Sequence, residues 1–221
     1  MKFRLLQVFL LAVSFQSLAE SAFDFDYLYG GLGYTKVDSP LSKDEINTRL
    51  SSFGISFEPG AQFILQTGFA FQTIKDNSID PTNGSKIELT SDYRSFYAGV
   101  ARYFVVSDIL NISFWINTWQ IYRNSELDSS AQYGSRLLLL QDTEMSSRTS
   151  ASVSVEVKPS VNSPVEFRSE IYHDIESNDD SLSVSLEIGA KISKSLLGRV
   201  TYSKSIEAPH PSYTFGLRYF Y

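Results

Sequence analysis

The sequence contains no cysteine, and this absence excludes several classes of protein. Without cysteine the chain has no disulfide scaffold, no zinc–thiolate site and no lipidated N-terminal cysteine. Basic residues are also few, since Asp and Glu outnumber Lys and Arg by 25 to 19, and no basic stripe is present. This balance argues against a protein that binds nucleic acid. The 43% of hydrophobic residues and 14% of aromatic residues exclude an intrinsically disordered chain.

Long apolar runs are missing as well, apart from one at the start of the chain. Residues Met1–Ala19 begin with the basic residues Lys2 and Arg4, continue through an apolar stretch too short to span a bilayer, and end in the small-x-small sequence Ser17–Ala19. This order predicts a secretory signal peptide over residues 1–19 and a mature domain over residues 20–221. Polar residues interrupt the later uncharged windows, so no membrane-spanning helix is predicted.

The mature sequence alternates with a period of two. In Ala151–Lys158 the odd positions are apolar and the even positions are Ser, Glu or Lys. Val165–Glu176 alternates in the same phase, and Leu182–Ser193 alternates with its apolar residues at the even positions. Such alternation places one set of side chains on each face of a β-strand. The pattern predicts ten strands: Tyr27–Val37, Leu50–Glu58, Ala61–Thr73, Tyr93–Val105, Leu110–Tyr122, Arg148–Lys158, Val165–Ile175, Leu182–Ser193, Arg199–Ile206 and Tyr213–Tyr221.

Short and long connections follow one another in strict turn between these strands. Tight turns at one end and loops at the other are typical of an all-β, antiparallel up-and-down β-barrel. We therefore predict a transmembrane barrel of ten strands, with eight strands as the alternative. The predicted loops are Asp38–Arg49, Ile74–Asp92, Arg123–Ser147, Asp174–Ser181 and Glu207–Ser212.

The composition of the two strand faces separates a membrane barrel from a soluble β-sandwich, which is the alternative. The polar face carries charges of both signs on neighbouring strands, and the apolar face is rich in aromatic residues, as expected when apolar side chains face lipid and polar ones face the lumen. Tyrosine, of which the chain has 13, suits the membrane–water interface because its ring can lie in lipid while its hydroxyl stays wet.

The last predicted strand adds a more specific pattern. Tyr213, Phe215, Leu217, Tyr219 and Tyr221 share one face, and the chain ends on an aromatic residue. This closely resembles the C-terminal signature of bacterial outer-membrane β-barrel proteins, in which a terminal aromatic residue and another two positions earlier form the signal for the barrel-insertion machinery. The resemblance implies export to the outer membrane of a Gram-negative cell. The partners that it implies are outer-membrane lipid, lipopolysaccharide and the barrel-assembly machinery.

A barrel of this size is expected to fill its lumen with side chains. Charges buried in a lumen need partners, so the charged residues of the polar face predict a salt-bridge network that plugs the barrel. A narrow solute path lined by the same residues is the alternative. The predicted network comprises Arg94, Arg102, Glu156, Lys158, Glu166, Arg168, Glu170, Glu187, Lys191, Arg199 and Arg218.

Candidate catalytic residues are few, because the chain has only two histidines. The pair His173-Asp174 is superficially similar to the omptin proteases, but neighbours on a strand point to opposite faces and cannot act together there. His210 and Ser212 have the His-x-Ser spacing of the lipid A deacylase barrels, yet parity places them on the lumen face, whereas that family's site faces lipid. No glycine-rich phosphate loop or metal cluster is visible. We therefore expect no catalytic residue, no metal and no cofactor.

The predicted loop Arg123–Ser147 contains the consecutive residues Leu137, Leu138, Leu139 and Leu140. Four leucines are costly to leave in water. They either extend the next strand, fold over the barrel mouth, or form a contact surface for a host molecule, another cell or a neighbouring membrane protein. The sequence thus favours a non-enzymatic structural or adhesion role through the loops. A narrow channel is the alternative, and a lipid A-modifying or omptin-like enzyme is a more remote one.

Overall fold

The computed structural model describes residues 23–42, 44–60, 62–79, 84–130, 136–175, 181–206 and 208–221. The predicted signal peptide lies outside these residues. No helix in the described ranges is long and apolar enough to cross a membrane. The strands are β1 (Tyr27–Asp38), β2 (Glu45–Gly60), β3 (Phe63–Ile79), β4 (Lys86–Ser107), β5 (Leu110–Ser130), β6 (Arg136–Val157), β7 (Val165–Asp174), β8 (Leu182–Lys191), β9 (Leu196–Ser205) and β10 (Ser212–Phe220).

The strands form one closed antiparallel sheet. Each strand pairs with its neighbours in sequence, and β1 pairs with β10 from Tyr27 opposite Phe220 to Thr35 opposite Ser212. The prediction of a ten-stranded up-and-down barrel is therefore confirmed. Closure leaves no unpaired strand edge around the barrel wall, which allows a sheet to stand in lipid. We call the end with the tight turns and the start of β1 the terminal end, and the other the loop end.

The outer surface of the barrel is apolar and its lumen is polar. The outward set includes Leu32 at 70% exposure and Phe215 at 61%, whereas Ser113, Ser154 and Asn111 on the lumen side are fully buried. The predicted insertion residues of β10 all belong to the exposed outer face. Outward aromatic residues gather near both ends of the wall, with Tyr34, Tyr122 and Tyr213 toward the loop end and Phe57, Tyr219 and Tyr221 toward the terminal end.

The wall is unequal in height. Strands β3 to β6 have 17 to 22 residues, whereas β7 to β10 have 9 or 10. The extra residues form a four-stranded extension at the loop end, which we call the protruding sheet (residues 74–79, 86–92, 123–130 and 136–149). At about 3.4 Å per residue, the six to eight residues that β3, β4 and β5 each contribute rise roughly 20–27 Å, and β6 contributes fourteen residues.

The protruding sheet corrects two of the predicted loops. Ile74–Asp92 and Arg123–Ser147 are not loops but hairpins that continue the barrel strands. Cross-strand pairs hold them, since Arg123 donates to Asp142 at 3.1 Å and lies 3.0 Å from Glu144. Because both faces of the sheet meet water, its strands lack the apolar alternation by which strands are recognised.

The leucine run lies in β6, so its predicted place in a loop is wrong. Leu137 pairs with Ser129 and Leu138 with Asp128, after a register shift between Leu127 and Asp128. The alternative in which these residues extend the next strand is the one that the backbone shows. Of the four leucine side chains, the structure describes that of Leu140, which is 59% exposed.

The connection between β1 and β2 is anchored to the protruding sheet. The carboxylate of Asp76 on β3 is buried and accepts hydrogen bonds from the Ser39 hydroxyl at 2.5 Å and the Leu41 amide at 3.0 Å. Ser39 in turn accepts from the amide of Ser42 at 2.7 Å. One carboxylate therefore orders the whole connection.

Replacing Asp76 with alanine is expected to release this connection. Two hydrogen bonds to a charged acceptor are lost, and bonds of this kind contribute about 1.5–3 kcal/mol each. Limited proteolysis should then cut at Ser39–Ser42 while the barrel still migrates as a folded species. Asp92→Ala is the matched control, because Asp92 accepts one exposed hydrogen bond from Thr73 at 2.7 Å. Equal protection of both variants would contradict the anchoring role.

Candidate functional site: the barrel lumen

The terminal end of the lumen is filled by aromatic side chains from the segment before β1. Phe23 and Phe25 share the inward face with Tyr27, and all three are buried. The Phe25 ring lies 4.8 Å from that of Tyr103. Sequence reasoning missed this plug, although the alternation of aromatic residues at positions 23, 25, 27 and 29 was available to predict it. The aromatic plug comprises Phe23, Phe25, Ile64, Ala101, Tyr103 and Trp115.

Polar contacts fix the plug in place. The Asp26 carboxylate accepts a hydrogen bond from the Glu58 amide at 2.6 Å, and the Glu58 carboxylate accepts one from the Tyr103 hydroxyl at 2.6 Å. The ammonium group of Lys158 lies 4.5 Å from the centroid of the Phe23 ring, a cation–π distance. The segment before β1 is thus bonded to the wall.

Above the plug lies a belt of paired charges from β6 to β10. In one part, Arg168 lies 3.7 Å from Glu156 and donates to Glu170 at 3.1 Å. In the other, Arg218 and Arg199 both bind Glu187, Arg199 at 3.1 Å. Arg218 also donates to Glu166 at 3.0 Å. The charge belt comprises Glu156, Glu166, Arg168, Glu170, Glu187, Arg199 and Arg218, and all are residues of the predicted network.

The other predicted network residues lie elsewhere. The structure corrects Arg94 and Arg102, which share the outer face of β4 with Phe96 and Phe104. Arg102 packs between Phe63 and Phe104, with its guanidinium 5.5 Å and 5.4 Å from the two ring centroids. Lys158 contacts the plug, and Lys191 is exposed at the terminal end.

The phase of β4 explains this correction. Placing Arg94 and Arg102 in the lumen implies that the tyrosines at the alternate positions face outward, but Tyr97 and Tyr103 are buried inside the barrel. Phenylalanines occupy the alternate positions, so both faces of the strand are aromatic. Hydropathy cannot tell which of two such faces points into the lumen. The tyrosine face does so because its hydroxyl groups suit the polar lumen.

Above the aromatic plug, β1, β4 and β5 form an aromatic wall opposite the charge belt. The ring of Tyr97 lies 4.5 Å from that of Trp119 and 6.3 Å from that of Tyr29. The tyrosine hydroxyls approach the backbone at Gly54 and Gly68, which are partners across β2 and β3. Glycine is required there because a Cβ at Gly68 would stand 2.5 Å from the Tyr29 hydroxyl and 2.8 Å from that of Tyr97.

Between the aromatic wall and the belt the lumen is hollow. Cavities of about 470 Å³ and 770 Å³ share Asn117, Trp119, Ile121, Glu170 and Ser185, and so form one continuous chamber. The lining of the larger cavity reaches Ser181 and Ala208, which belong to connections at the loop end. The chamber is thus accessible from the loop end and closed below by the plug.

The two histidines lie at different places on the barrel. Tyr172 and Asp174 line the chamber, so His173 between them points to the outer side of β7. His210 Nε2 lies 3.3 Å from Asp38 and 3.5 Å from Glu45, whereas Ser212 donates to the Ser203 carbonyl at 3.5 Å.

A surface salt bridge neighbours His210 at the loop end. Lys36 donates to Glu45 at 2.6 Å. This hydrogen bond raises the pKa of Lys36 and lowers the pKa of Glu45. The carboxylate of Glu45 therefore stays ionised beside His210 to lower pH than an isolated glutamate.

No protein-family model matches the chain, and no curated protein matches it in sequence. Among solved structures, it is similar to the transport unit of the autotransporter AIDA-I from Escherichia coli, with 13% identity, 97% of both chains covered and a TM-score of 0.48. It is also similar to the NanC porin, with 10% identity, 88% of this chain and all of the other covered, and a TM-score of 0.46.

A third similar structure is Ail, the attachment invasion locus protein of Yersinia pestis, in complex with the heparin analogue sucrose octasulfate. The identity is 11%, the coverage is 89% of this chain and 99% of the other, and the TM-score is 0.37.

Proposed function

We propose that the protein is a non-conducting barrel of the bacterial outer membrane that acts, without catalysis, as a contact protein at the cell surface. The observation that carries this proposal is that the lumen is closed at one end of the barrel, whereas the exposed sheet lies at the other. The lumen is closed at the terminal end by the aromatic plug and the charge belt, and the structured, solvent-exposed part rises at the loop end. Such a molecule is built to present a surface.

The membrane location is supported by the outer face of the barrel. Exposed apolar side chains cover it between two groups of aromatic residues, whereas monomeric soluble proteins rarely expose large continuous apolar patches. A lipid environment accommodates this arrangement, with tyrosines at the interfaces. The predicted signal peptide would deliver the chain, and the C-terminal aromatic pattern of β10 would engage the barrel-assembly machinery. Lipid and lipopolysaccharide would then surround the wall.

The protruding sheet supports the contact role. Its outermost strand, β6, is paired with β5 on one side, and its pairing with β7 begins only at Ser150. From Leu140 to Arg148 every side chain is exposed, including Met145 at 76%. Among the described residues, this part of β6 is open along one edge, and such a strand offers backbone and side-chain groups to a host or cell-surface molecule.

The contact role is tested by shortening the sheet without altering the barrel. Asn124 and Thr143 face each other across β5 and β6, so replacing residues 125–142 with an Asn-Gly turn preserves the register below them. Bacteria that display the native chain should adhere to epithelial monolayers, and the shortened variant should lose this adhesion. The control is heat-modifiable electrophoretic migration, which both proteins should show. Full adhesion by the shortened variant would refute the proposal.

The closed lumen predicts that the native protein gives no stable single-channel conductance in planar bilayers. Replacing both Phe23 and Phe25 with alanine removes the inserted rings, and brief current events are expected because only the wall residues of the plug and the charge belt then obstruct the lumen. Phe57→Ala, on the outer face, is the matched control and should stay silent.

A second candidate function is a narrow solute path, which the chamber favours because it already occupies much of the lumen. The same bilayer recording separates the two candidates. Steady, ion-selective conductance of the native protein would support the path and overturn the non-conducting barrel. The contact role of the protruding sheet would still be decided by the adhesion assay.

A further inference from the structure

The chamber has the features of a binding site that the surface-contact role does not use. Ligand cavities in proteins have volumes of roughly 300–1,000 Å³ and combine apolar surface with a few convergent polar groups. Each of the two cavities, of about 470 Å³ and 770 Å³, falls in this range by itself. They are accessible from the loop end and blind below, so an entering molecule is held rather than passed on.

One side of the chamber offers flat aromatic surface. The tilted pair Tyr97 and Trp119 lines it, with an angle of 31° between the rings. Trp115 lies two positions before Asn117 on the same inward face of β5, is 2% exposed, and its indole N–H has no hydrogen-bond partner among the described residues. A buried N–H of this kind is costly to leave unsatisfied and indicates that the lower chamber accepts a polar atom.

The opposite side offers hydroxyl groups. Ser185 and Ser203 are 3.2 Å apart on β8 and β9, and both line the larger cavity together with Ser150 and Ser183. Hydroxyls both donate and accept hydrogen bonds, so they match a ligand that is itself rich in hydroxyls.

The charge belt below selects against charged ligands. It holds three guanidinium groups against four carboxylates, and all of these carboxylates are already paired. An anion would have to displace a carboxylate from its arginine and would meet the negative excess. A cation would find each carboxylate of the belt engaged. Breaking such a buried pair is strongly unfavourable. The larger cavity also has Arg148 and Asp174 in its lining, one charge of each sign, so it adds no net charge to the chamber.

We infer that the chamber binds a neutral oligosaccharide, whose apolar ring faces stack on Trp119 and Tyr97 while its hydroxyls bond to the serine-lined side. A saccharide is the ligand class that presents a flat apolar face and a dense set of neutral donors and acceptors on the same small unit. Asn117 lies between the two tryptophans in sequence and lines both cavities. Its side chain is therefore placed to form a hydrogen bond with a saccharide hydroxyl where the two cavities meet.

The two tryptophans of the chain, Trp115 and Trp119, both line the chamber, so intrinsic tryptophan fluorescence reports on it directly. The full-length mature protein is titrated in a detergent without a sugar headgroup, using maltotriose, cellotriose and chitotriose as neutral probes. A saturable change in fluorescence with at least one of them is expected. A trigalacturonate and a polyamine serve as the anionic and cationic probes and should give a weaker response.

Calorimetry of variants then locates the site. Trp119→Ala should lower the affinity for the saccharide at least about tenfold, which corresponds to about 1.4 kcal/mol. Trp119→Phe should retain most of the affinity. Tyr122→Ala, on the outer face of the same strand, should bind as the native protein does, and heat-modifiable migration verifies that each variant is folded. Absence of a response to all three neutral probes, or tighter binding of a charged probe, overturns the inference. The adhesion and conductance results are independent of this outcome.

Discussion

Replacing Arg218 with methionine is expected to lower the free energy of unfolding by about 3–5 kcal/mol. Arg218 is 7% exposed and binds both Glu166 and Glu187. Methionine fills a similar volume but leaves Glu166 without its ion pair and Glu187 with Arg199 alone. Urea unfolding in detergent micelles, followed by the electrophoretic shift between folded and unfolded forms, measures the change.

Arg94→Met is the matched control for this experiment. Both arginines were predicted from the sequence to belong to one network, but Arg94 is exposed on the outer side of β4. Its replacement should change the unfolding free energy by less than about 0.5 kcal/mol. Equal effects of the two substitutions would show that the charge belt does not stabilise the barrel.

Gly68→Ala is expected to destabilise the barrel by about 1–3 kcal/mol, because the new methyl group has no space. It would stand 2.5 Å from the Phe53 carbonyl oxygen and equally close to the Tyr29 hydroxyl. The Phe53 oxygen belongs to the backbone and cannot move away easily. The Tyr29 hydroxyl can move, but only if this part of the aromatic wall shifts. The same urea titration measures the loss, and combining the variant with Tyr29→Phe should recover part of it.

Gly30→Ala on β1, two strands away, provides the comparison. The nearest atom to an added Cβ there is the Ser52 carbonyl oxygen at 3.7 Å, an ordinary contact. We therefore expect an almost unchanged unfolding free energy. A similar loss in both variants would mean that glycine is needed for reasons other than the approach of the tyrosines.

The strands of the barrel wall were predictable from the sequence because an apolar outer face and a polar lumen impose opposite chemistry on alternate residues. Val165–Asp174 and Leu182–Lys191 alternate cleanly, and their predicted starts match β7 and β8. The carboxylates and arginines of these strands were also predicted to face the lumen, where the charge belt lies. Their pairing, however, depends on register between strands, which one sequence does not specify.

Other elements were not predictable from hydropathy because their two faces meet similar surroundings. The upper parts of β5 and β6 are in water on both sides, and they were taken for a loop. The face of β4 was inverted because Phe96 and Tyr97 are both aromatic. The plug was missed because Phe23 and Phe25 precede the first predicted strand, although their alternation continues that of Tyr27 and Tyr29.

The unequal height of the wall gives the barrel an oblique mouth. On the side of β7 to β10 the rim is low, and on the side of β3 to β6 the sheet stands above it. A molecule that enters over the low rim contacts the inner face of the protruding sheet before it reaches Trp119. Approach to the chamber is therefore easier from the side of β7 to β10. A large molecule bound along the tall sheet would cover the entrance from above and leave access from the low side.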